Sequence, residues 1–175
     1  DKQGPAAFPV SLIEKLLDPS FEHEACFLAF VGGEYRPEKT AVLQVTTQTF
    51  TLGGTATQVE NVIARLPGSR HPEELVIVGG HYDSRQQNIN DPSQSPGAED
   101  NASGCAGVLE AARVFSAYPP QRTMVFVCFA GEEQGLYGGT AYAQSLQASG
   151  TMANIELAII MDMIGYSGDD DLDVL

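Results

Sequence analysis

Six polar residues stand where apolar segments of the chain end, and their types are those that bind metal ions. In chain order they are His81, Asp83, Asp100, Glu132, Glu133 and Asp162. Carboxylates gathered at one place would repel one another and shift each other's pKa, and a divalent cation would compensate their charge. A histidine with carboxylates is a ligand set typical of zinc, and there are enough ligands for two ions if one carboxylate bridges them.

The adjacent pair Glu132-Glu133 indicates hydrolysis. Neighbouring residues of an extended segment point in different directions, so one can bind the metal while the other faces the water that the metal activates. A carboxylate facing that water can take its proton during attack on a carbonyl. Hydrolysis of an amide or ester is therefore the leading reaction class.

Each of these residues also has a purely structural interpretation. A lone histidine at a strand end is more often structural, although Asp83 is well placed to accept the second ring N–H of His81. The two glutamates could be an exposed acidic pair at a helix start, and Asp100 could be a helix cap. Asp162 resists such an explanation, because an unpaired charge at the end of an apolar strand is costly. Their coincidence at one sheet edge favours the metal site.

The elements that would position these residues alternate between strands and helices. Apolar periodicity predicts strands at 41–52, 58–66, 75–78, 123–130 and 157–161, and helices at 9–31, 102–118 and 136–148. The Gly53-Gly54 turn predicts a hairpin between the first two strands. The last three strands are continuous apolar runs, typical of strands covered on both faces. Their alternation with helices predicts a parallel α/β sheet, whose ligands bind beyond the carboxyl ends of the strands.

Length and composition exclude several classes. The chain has 175 residues, 43% of them hydrophobic, and its 9 basic and 23 acidic residues give a net charge of −14. This suits one globular domain and argues against a nucleic-acid or anionic-membrane partner. No apolar run reaches the roughly 18 residues that span a bilayer, and no leader is visible at the N-terminus. Cys26, Cys105 and Cys128 form no C-x-x-C motif, so their disulfide status stays open; we expect Cys105 and Cys128 to be small core residues.

Four ordered segments resemble the motifs of the M28 co-catalytic zinc aminopeptidases: 78–84, 96–104, 129–139 and 161–166, with 61–68 similar to an early strand of the family. The resemblance implies a mixed, mostly parallel sheet flanked by helices, the zinc-dependent exopeptidase (phosphorylase/hydrolase-like) fold. It implies a helical segment at 1–40 packing on a catalytic domain at 41–175 that is truncated at its C-terminus. It also implies a secreted or periplasmic enzyme that releases N-terminal residues from peptides.

The resemblance further implies a role for each site residue. His81 and Asp162 would bind one zinc, Glu133 would bind the other, and Asp100 would bridge both. Glu132 would be the general base, later passing the proton to the leaving amine. Asp83 would be the hydrogen-bond partner that orients the imidazole.

One departure from the family pattern concerns its remaining ligand, a histidine downstream of the Asp162 motif. We expect neither His23 nor His71 to replace it. The family also implies a cis peptide bond between Asp100 and Asn101. Two rival functions stay open: a glutaminyl-cyclase-like zinc acyltransferase, and a non-catalytic binding module of the same fold. The chain has no P-loop, no G-x-G-x-x-G and no G-x-S-x-G motif, so nucleotide binding and serine hydrolysis have no support.

Overall fold

The computed structural model describes residues 42–85, 97–118 and 120–165. The predicted segment 1–40, with its helix, lies outside these ranges, as do His23 and Cys26. The described elements are β1 (Gln44–Thr51), β2 (Gln58–Leu66), β3 (His71–His81), α1 (Gly104–Ala117), β4 (Arg122–Phe129), α2 (Tyr137–Ala148) and β5 (Ile155–Ile160). An irregular turn, Ala98–Ser103, precedes α1, and a single 3-10 turn, Met152–Asn154, precedes β5.

The five strands form one mixed sheet in the order β1-β2-β4-β3-β5. The strand β2 pairs antiparallel with both β1 and β4, whereas β3 pairs parallel with β4 and β5. Four strands therefore run in one direction and β2 runs against them, which confirms the predicted mixed, mostly parallel sheet. The predicted hairpin joins β1 to β2, and Gly54 in its turn has φ +73°, a conformation that glycine adopts without strain.

Two clusters of buried side chains cover the two faces of the sheet, because successive strand residues point to opposite sides. On the α1 side they are Leu66, Val78, Val108, Ala112, Met124 and Phe126. On the α2 side they are Leu75, Ile77, Val125, Val127, Phe129 and Tyr142. Helices on both faces bury β3 and β4 as the continuous apolar runs predict.

Two strands differ from the prediction. The strand β3 extends beyond the predicted range 75–78 at both ends. Residues 71–74 and the pair Gly79-Gly80 carry no apolar strand signal, so periodicity missed them although the strand that contains them pairs with β4. The prediction that β5 is buried on both faces is wrong. It lies at an edge of the described sheet, and its side chains Leu157, Ile159 and Ile160 are 45–60% exposed. None of the helices in the described ranges is long and apolar enough to cross a bilayer.

Candidate metal centre

The carboxyl ends of β3, β4 and β5 meet at one edge of the sheet. His81 is the last residue of β3 and pairs in register with Phe129, the last residue of β4. Because the three strands are parallel, the segments that follow them leave the sheet side by side. These segments carry Asp83, Glu132 and Asp162, and the turn before α1 adds Asp100 to the same edge.

The imidazole of His81 lies at the centre of the cluster. Its Nε2 is 3.1 Å from Oδ1 of Asp100 and 3.6 Å from Oδ1 of Asp162. One ligand atom from each of these three residues lies within 4.8 Å of the other two. His81 is only 4% exposed, and its Nε2 has no hydrogen-bond partner within the described ranges. A buried nitrogen without a partner is costly, and a divalent ion held by one histidine and two carboxylates would remove that cost. The donors therefore fit zinc.

Asp100 does not cap a helix, so the purely structural interpretation of this residue does not apply. The cap position of α1 is Ser103, no side-chain hydrogen bond caps α1 or the turn before it, and the backbone of Asp100 lies at φ −103° and ψ 90° inside that turn. The peptide bond between Asp100 and Asn101 is cis, as the resemblance implies. The carboxylate is half-exposed and turned toward His81.

Asn101 is a positioning residue that the sequence reasoning missed. It is 1% exposed, and its Nδ2 donates to the carbonyl of Met161 at 2.9 Å. Its Oδ1 accepts from the amides of Gly104 at 2.9 Å and Met163 at 3.2 Å. Asn101 thus ties the start of α1 to the two neighbours of Asp162 in sequence. Its position immediately after Asp100, within the segment that resembles a family motif, was the available signal.

The two glutamates after β4 have different surroundings. Oε2 of Glu132 lies 3.8 Å from Nε2 of His81, and the side chain is partly exposed. Glu133 is 11% exposed, and its Oε2 lies 3.2 Å from Nε of Arg85. Glu132 therefore faces the His81 cluster, while Glu133 is paired with a cation. The group of ligand atoms around His81 does not include Glu133, so the predicted division of labour between the two glutamates stays a prediction.

Asp83 contacts both strand ends. Its carboxylate accepts hydrogen bonds from the amides of Glu132 and Glu133, each at 3.1 Å. Nδ1 of His81 lies 3.0 Å from the main-chain carbonyl of Asp83 and 3.5 Å from its carboxylate. The closer contact of the imidazole is thus with the carbonyl rather than with the predicted carboxylate. A carbonyl at Nδ1 favours the tautomer that leaves Nε2 free to bind a metal.

A second buried asparagine shapes the segment after β4. Asn61 accepts from the amide of Ala130 at 3.0 Å and donates to the carbonyl of Gly138 at 2.9 Å. A Cβ on Gly138 would collide with the Ala130 carbonyl and the Asn61 side chain, so only glycine allows this close approach. The segment carrying both glutamates is therefore fixed at each end. No separate signal in the sequence indicates this role of Asn61.

The charges of the site raise two pKa values. Burial opposes protonation of His81, but the negative charges of Glu132, Asp162 and Asp83, with the Asp83 carbonyl, outweigh it and raise the imidazole pKa above 6.5. Burial also raises the pKa of the Glu132 carboxyl above 4.5, and the neighbouring carboxylates add to the rise although His81 opposes it. The negative charge of the metal-free edge favours the protonated form of both groups, and the same negative charge favours a bound cation.

An apolar cavity of about 440 Å³ adjoins the cluster. His81, Glu132 and Asp162 stand at its polar end, and its other lining residues include Phe129, Leu136 and Ile160. A peptide at the site would therefore meet apolar surface next to the carboxylates.

A second group of potential ligands lies at the start of β3, far along that strand from His81. It consists of His71, Glu73 and Glu74. Here Glu74 already pairs with Arg122 and lies 3.8 Å from the exposed imidazole of His71. No buried unpartnered nitrogen marks this group in the described ranges. The structure therefore distinguishes His81 from His71, in agreement with the prediction that His71 is a surface residue.

Comparison with known proteins agrees with the geometry. A family model described as Peptidase family M28 matches residues 61–172. A probable zinc metalloprotease of Pyrenophora teres f. teres is 45% identical over 114 residues, which are 65% of this chain and 24% of that protein. The chain thus spans about a quarter of the length of this curated relative.

Solved structures share the fold. A zinc aminopeptidase from Bacillus subtilis superposes with a TM-score of 0.55 at 32% identity, over 63% of this chain and 25% of its own. A glutaminyl cyclase from an Acidobacteriales bacterium superposes with a TM-score of 0.60 at 24% identity, over 70% of this chain and 44% of its own. At that identity the second match bears on the fold alone.

Proposed function

This chain belongs to peptidase family M28, and we propose that the protein it represents is a zinc aminopeptidase acting on peptides with a free N-terminus. One observation carries the proposal: the buried, unpartnered Nε2 of His81 faces Asp100 and Asp162, with Glu132 beside them. The similarity to the aminopeptidase from Bacillus subtilis supports the choice of an exopeptidase.

In this proposal two zinc ions share the edge of the sheet. His81 and Asp162 would hold one ion, Glu133 would hold the other, and Asp100 would be a ligand shared by both. The trio of ligand atoms within 4.8 Å supports the first assignment. The second assignment rests on the resemblance, and Arg85, which lies 3.2 Å from Glu133, would have to give way to the metal. When bound, zinc polarises the substrate carbonyl and lowers the pKa of water.

In the proposed reaction, residues of this chain transfer the proton of the attacking water. Glu132 takes it from the attacking water and returns it to the leaving amine as the peptide bond breaks. In the metal-free chain, burial raises the pKa of this carboxyl, so its carboxylate is a stronger base there than that of an exposed glutamate. Asp83 fixes the main chain of Glu132 through the amide hydrogen bond, so the base is oriented before substrate arrives.

The test uses the full-length protein and aminoacyl-p-nitroanilides. We expect a chelator to abolish release of nitroaniline and added zinc to restore it. Glu132→Gln should lower kcat by about 10²- to 10⁴-fold, the range of general-base catalysis, while zinc binding stays within a few-fold. Glu156→Gln on the exposed face of β5 makes the same charge change outside the site and should leave kcat unchanged. Activity that survives both chelation and Glu132→Gln would contradict the proposal.

A glutaminyl-cyclase-like acyltransferase is the second candidate, because a cyclase shares this fold. The two reactions have different products from one peptide with an N-terminal glutamine. A cyclase releases ammonia and leaves a blocked N-terminus, whereas an aminopeptidase releases free glutamine. Ammonia release without free amino acid would favour the cyclase. Export, which the resemblance implies, stays a prediction that fractionation of the producing cells would test.

A further inference from the structure

Two thiols lie behind His81, on the α1 side of the sheet. Cys105 is in the first turn of α1, and Cys128 is in β4, where it pairs in register with Gly80. A Cβ on Gly80 would lie 3.2 Å from the carbonyl carbon of Gly104 and 3.4 Å from the amide nitrogen of Cys105. The first turn of α1 therefore lies directly on Gly80, next to Cys128, which packs against the core cluster on that side.

The thiols lie close to one another and to the site. Sγ of Cys105 donates to the main-chain carbonyl of His81 at 3.1 Å. Both cysteines are free and only partly buried, and they flank Gly80, which pairs with Cys128 and packs against the start of α1 at Cys105. The expectation that they are small core residues thus holds for their apolar packing but omits this proximity. The metal centre and the proton transfers described above use neither thiol.

We propose that Cys105 and Cys128 are a site of reversible oxidation, which forms a disulfide between α1 and β4 by exchange with a small disulfide such as oxidised glutathione. The geometry favours closure, because both cysteines lie against Gly80 on the same side of the sheet, where a disulfide bond of about 2.05 Å would join α1 to β4. Partial exposure of both side chains gives the small disulfide access. This site is independent of the proposed peptidase activity.

The exchange balances without a further reactant. The thiolate of Cys128 attacks one sulfur of oxidised glutathione, the glutathione S–S bond breaks, and one glutathione thiolate leaves. Cys105 then loses its proton and attacks Sγ of Cys128, which displaces the second glutathione. Two protein thiols are oxidised and one glutathione disulfide is reduced, and the two thiol protons end on the two glutathiones. The neighbouring Cys105 lowers the pKa of the Cys128 thiol, which agrees with this order of attack.

The test treats the 175-residue chain with oxidised glutathione, blocks the remaining thiols by alkylation, and maps tryptic peptides by mass spectrometry. Trypsin cuts at Arg113 and Arg122, so a disulfide between Cys105 and Cys128 appears as a cross-linked pair of peptides. We expect this pair in most of the wild-type chain, its absence after reduction by dithiothreitol, and an unchanged result in Cys26→Ser.

The single variants provide the second measurement. Cys105→Ser and Cys128→Ser should form no cross-link, and Cys128→Ser should react with glutathione more slowly than Cys105→Ser. Stable glutathione adducts on both cysteines of the wild-type chain without a cross-link would overturn the proposal. So would a disulfide that joins Cys26 to either thiol. If a variant fails to fold, the wild-type peptide map still decides between these outcomes.

Discussion

Replacing Asp83 by asparagine tests whether the strand ends are held together as described. The carboxylate of Asp83 accepts one hydrogen bond from the amide of Glu132 and one from the amide of Glu133. Asparagine keeps one acceptor oxygen and replaces the other with an NH₂ group. One of the two amides then faces a donor, and the remaining hydrogen bond loses its charged acceptor.

The magnitude follows from these two changes. A hydrogen bond to a charged group contributes about 1.5–3 kcal/mol, and the surviving bond falls to about 1 kcal/mol. The side chain of Asp83 is 17% exposed, so water relieves part of the loss. We therefore expect the free energy of unfolding to fall by about 2 kcal/mol. Residues that orient metal ligands typically change metal affinity by about 10- to 100-fold, and we expect zinc affinity to fall in that range.

The assay combines urea unfolding of the metal-free chain with zinc titration against a chromophoric chelator. Glu156→Gln is the matched control, since it removes one carboxylate charge from an exposed position of β5. It should change neither quantity appreciably. The reasoning is refuted if Asp83→Asn binds zinc as tightly as the control, or if the two variants unfold at the same urea concentration.

Three further perturbations address the charges and hydrogen bonds around the site. Arg85→Ala removes the ion pair with Glu133. Because Arg85 is 70% exposed, that ion pair contributes about 0.2–1 kcal/mol, so zinc should bind up to about fivefold more tightly in the chelator assay. Weaker zinc binding by this variant would contradict the prediction. Asn101→Ala leaves three main-chain groups without their partner and should lower the free energy of unfolding in urea by about 2–4 kcal/mol; a loss below about 1 kcal/mol would contradict this. His81 and Glu132 have pKa values raised above 6.5 and 4.5, so the folded, metal-free chain binds more protons than the unfolded chain, and its stability should fall as pH rises through the raised values. Urea midpoints at about pH 6 and pH 8 check the sign, and saturating zinc should reverse the trend because the metal competes with the proton on His81.

Helices and strands could be predicted from the sequence wherever apolar residues recur with the period of that element. The strand β2 alternates between the faces and ends before Pro67-Gly68, and its observed bounds match the prediction. The strand β5 is mostly apolar like β4, yet it lies at an edge of the described sheet. The composition of a strand shows whether its side chains can be buried, whereas the position of the strand in the sheet depends on pairing with distant strands.

Part of the candidate site could likewise be predicted from the sequence, and part could not. His81, Glu132 and Asp162 could be brought together from the sequence because parallel strands end at one edge, and this needs only the strand directions. The hydrogen bonds of Asn61 and Asn101 join segments far apart in the chain, and a buried asparagine has no local signature that names its partners. Asp83 was predicted to belong to the site, but the partners of its carboxylate could not be predicted. They are the amides of Glu132 and Glu133.

Zinc binding by the 175-residue chain tests the central claim most directly. Residues 42–85, 97–118 and 120–165 contain two groups of potential ligands, and within these ranges only the His81 group surrounds a buried, unpartnered nitrogen. We predict that the wild-type chain and His71→Ala bind zinc alike. We predict that His81→Ala and Asp100→Asn each weaken binding by more than about tenfold, since each removes a ligand. The account is contradicted if His71→Ala abolishes binding while His81→Ala retains it.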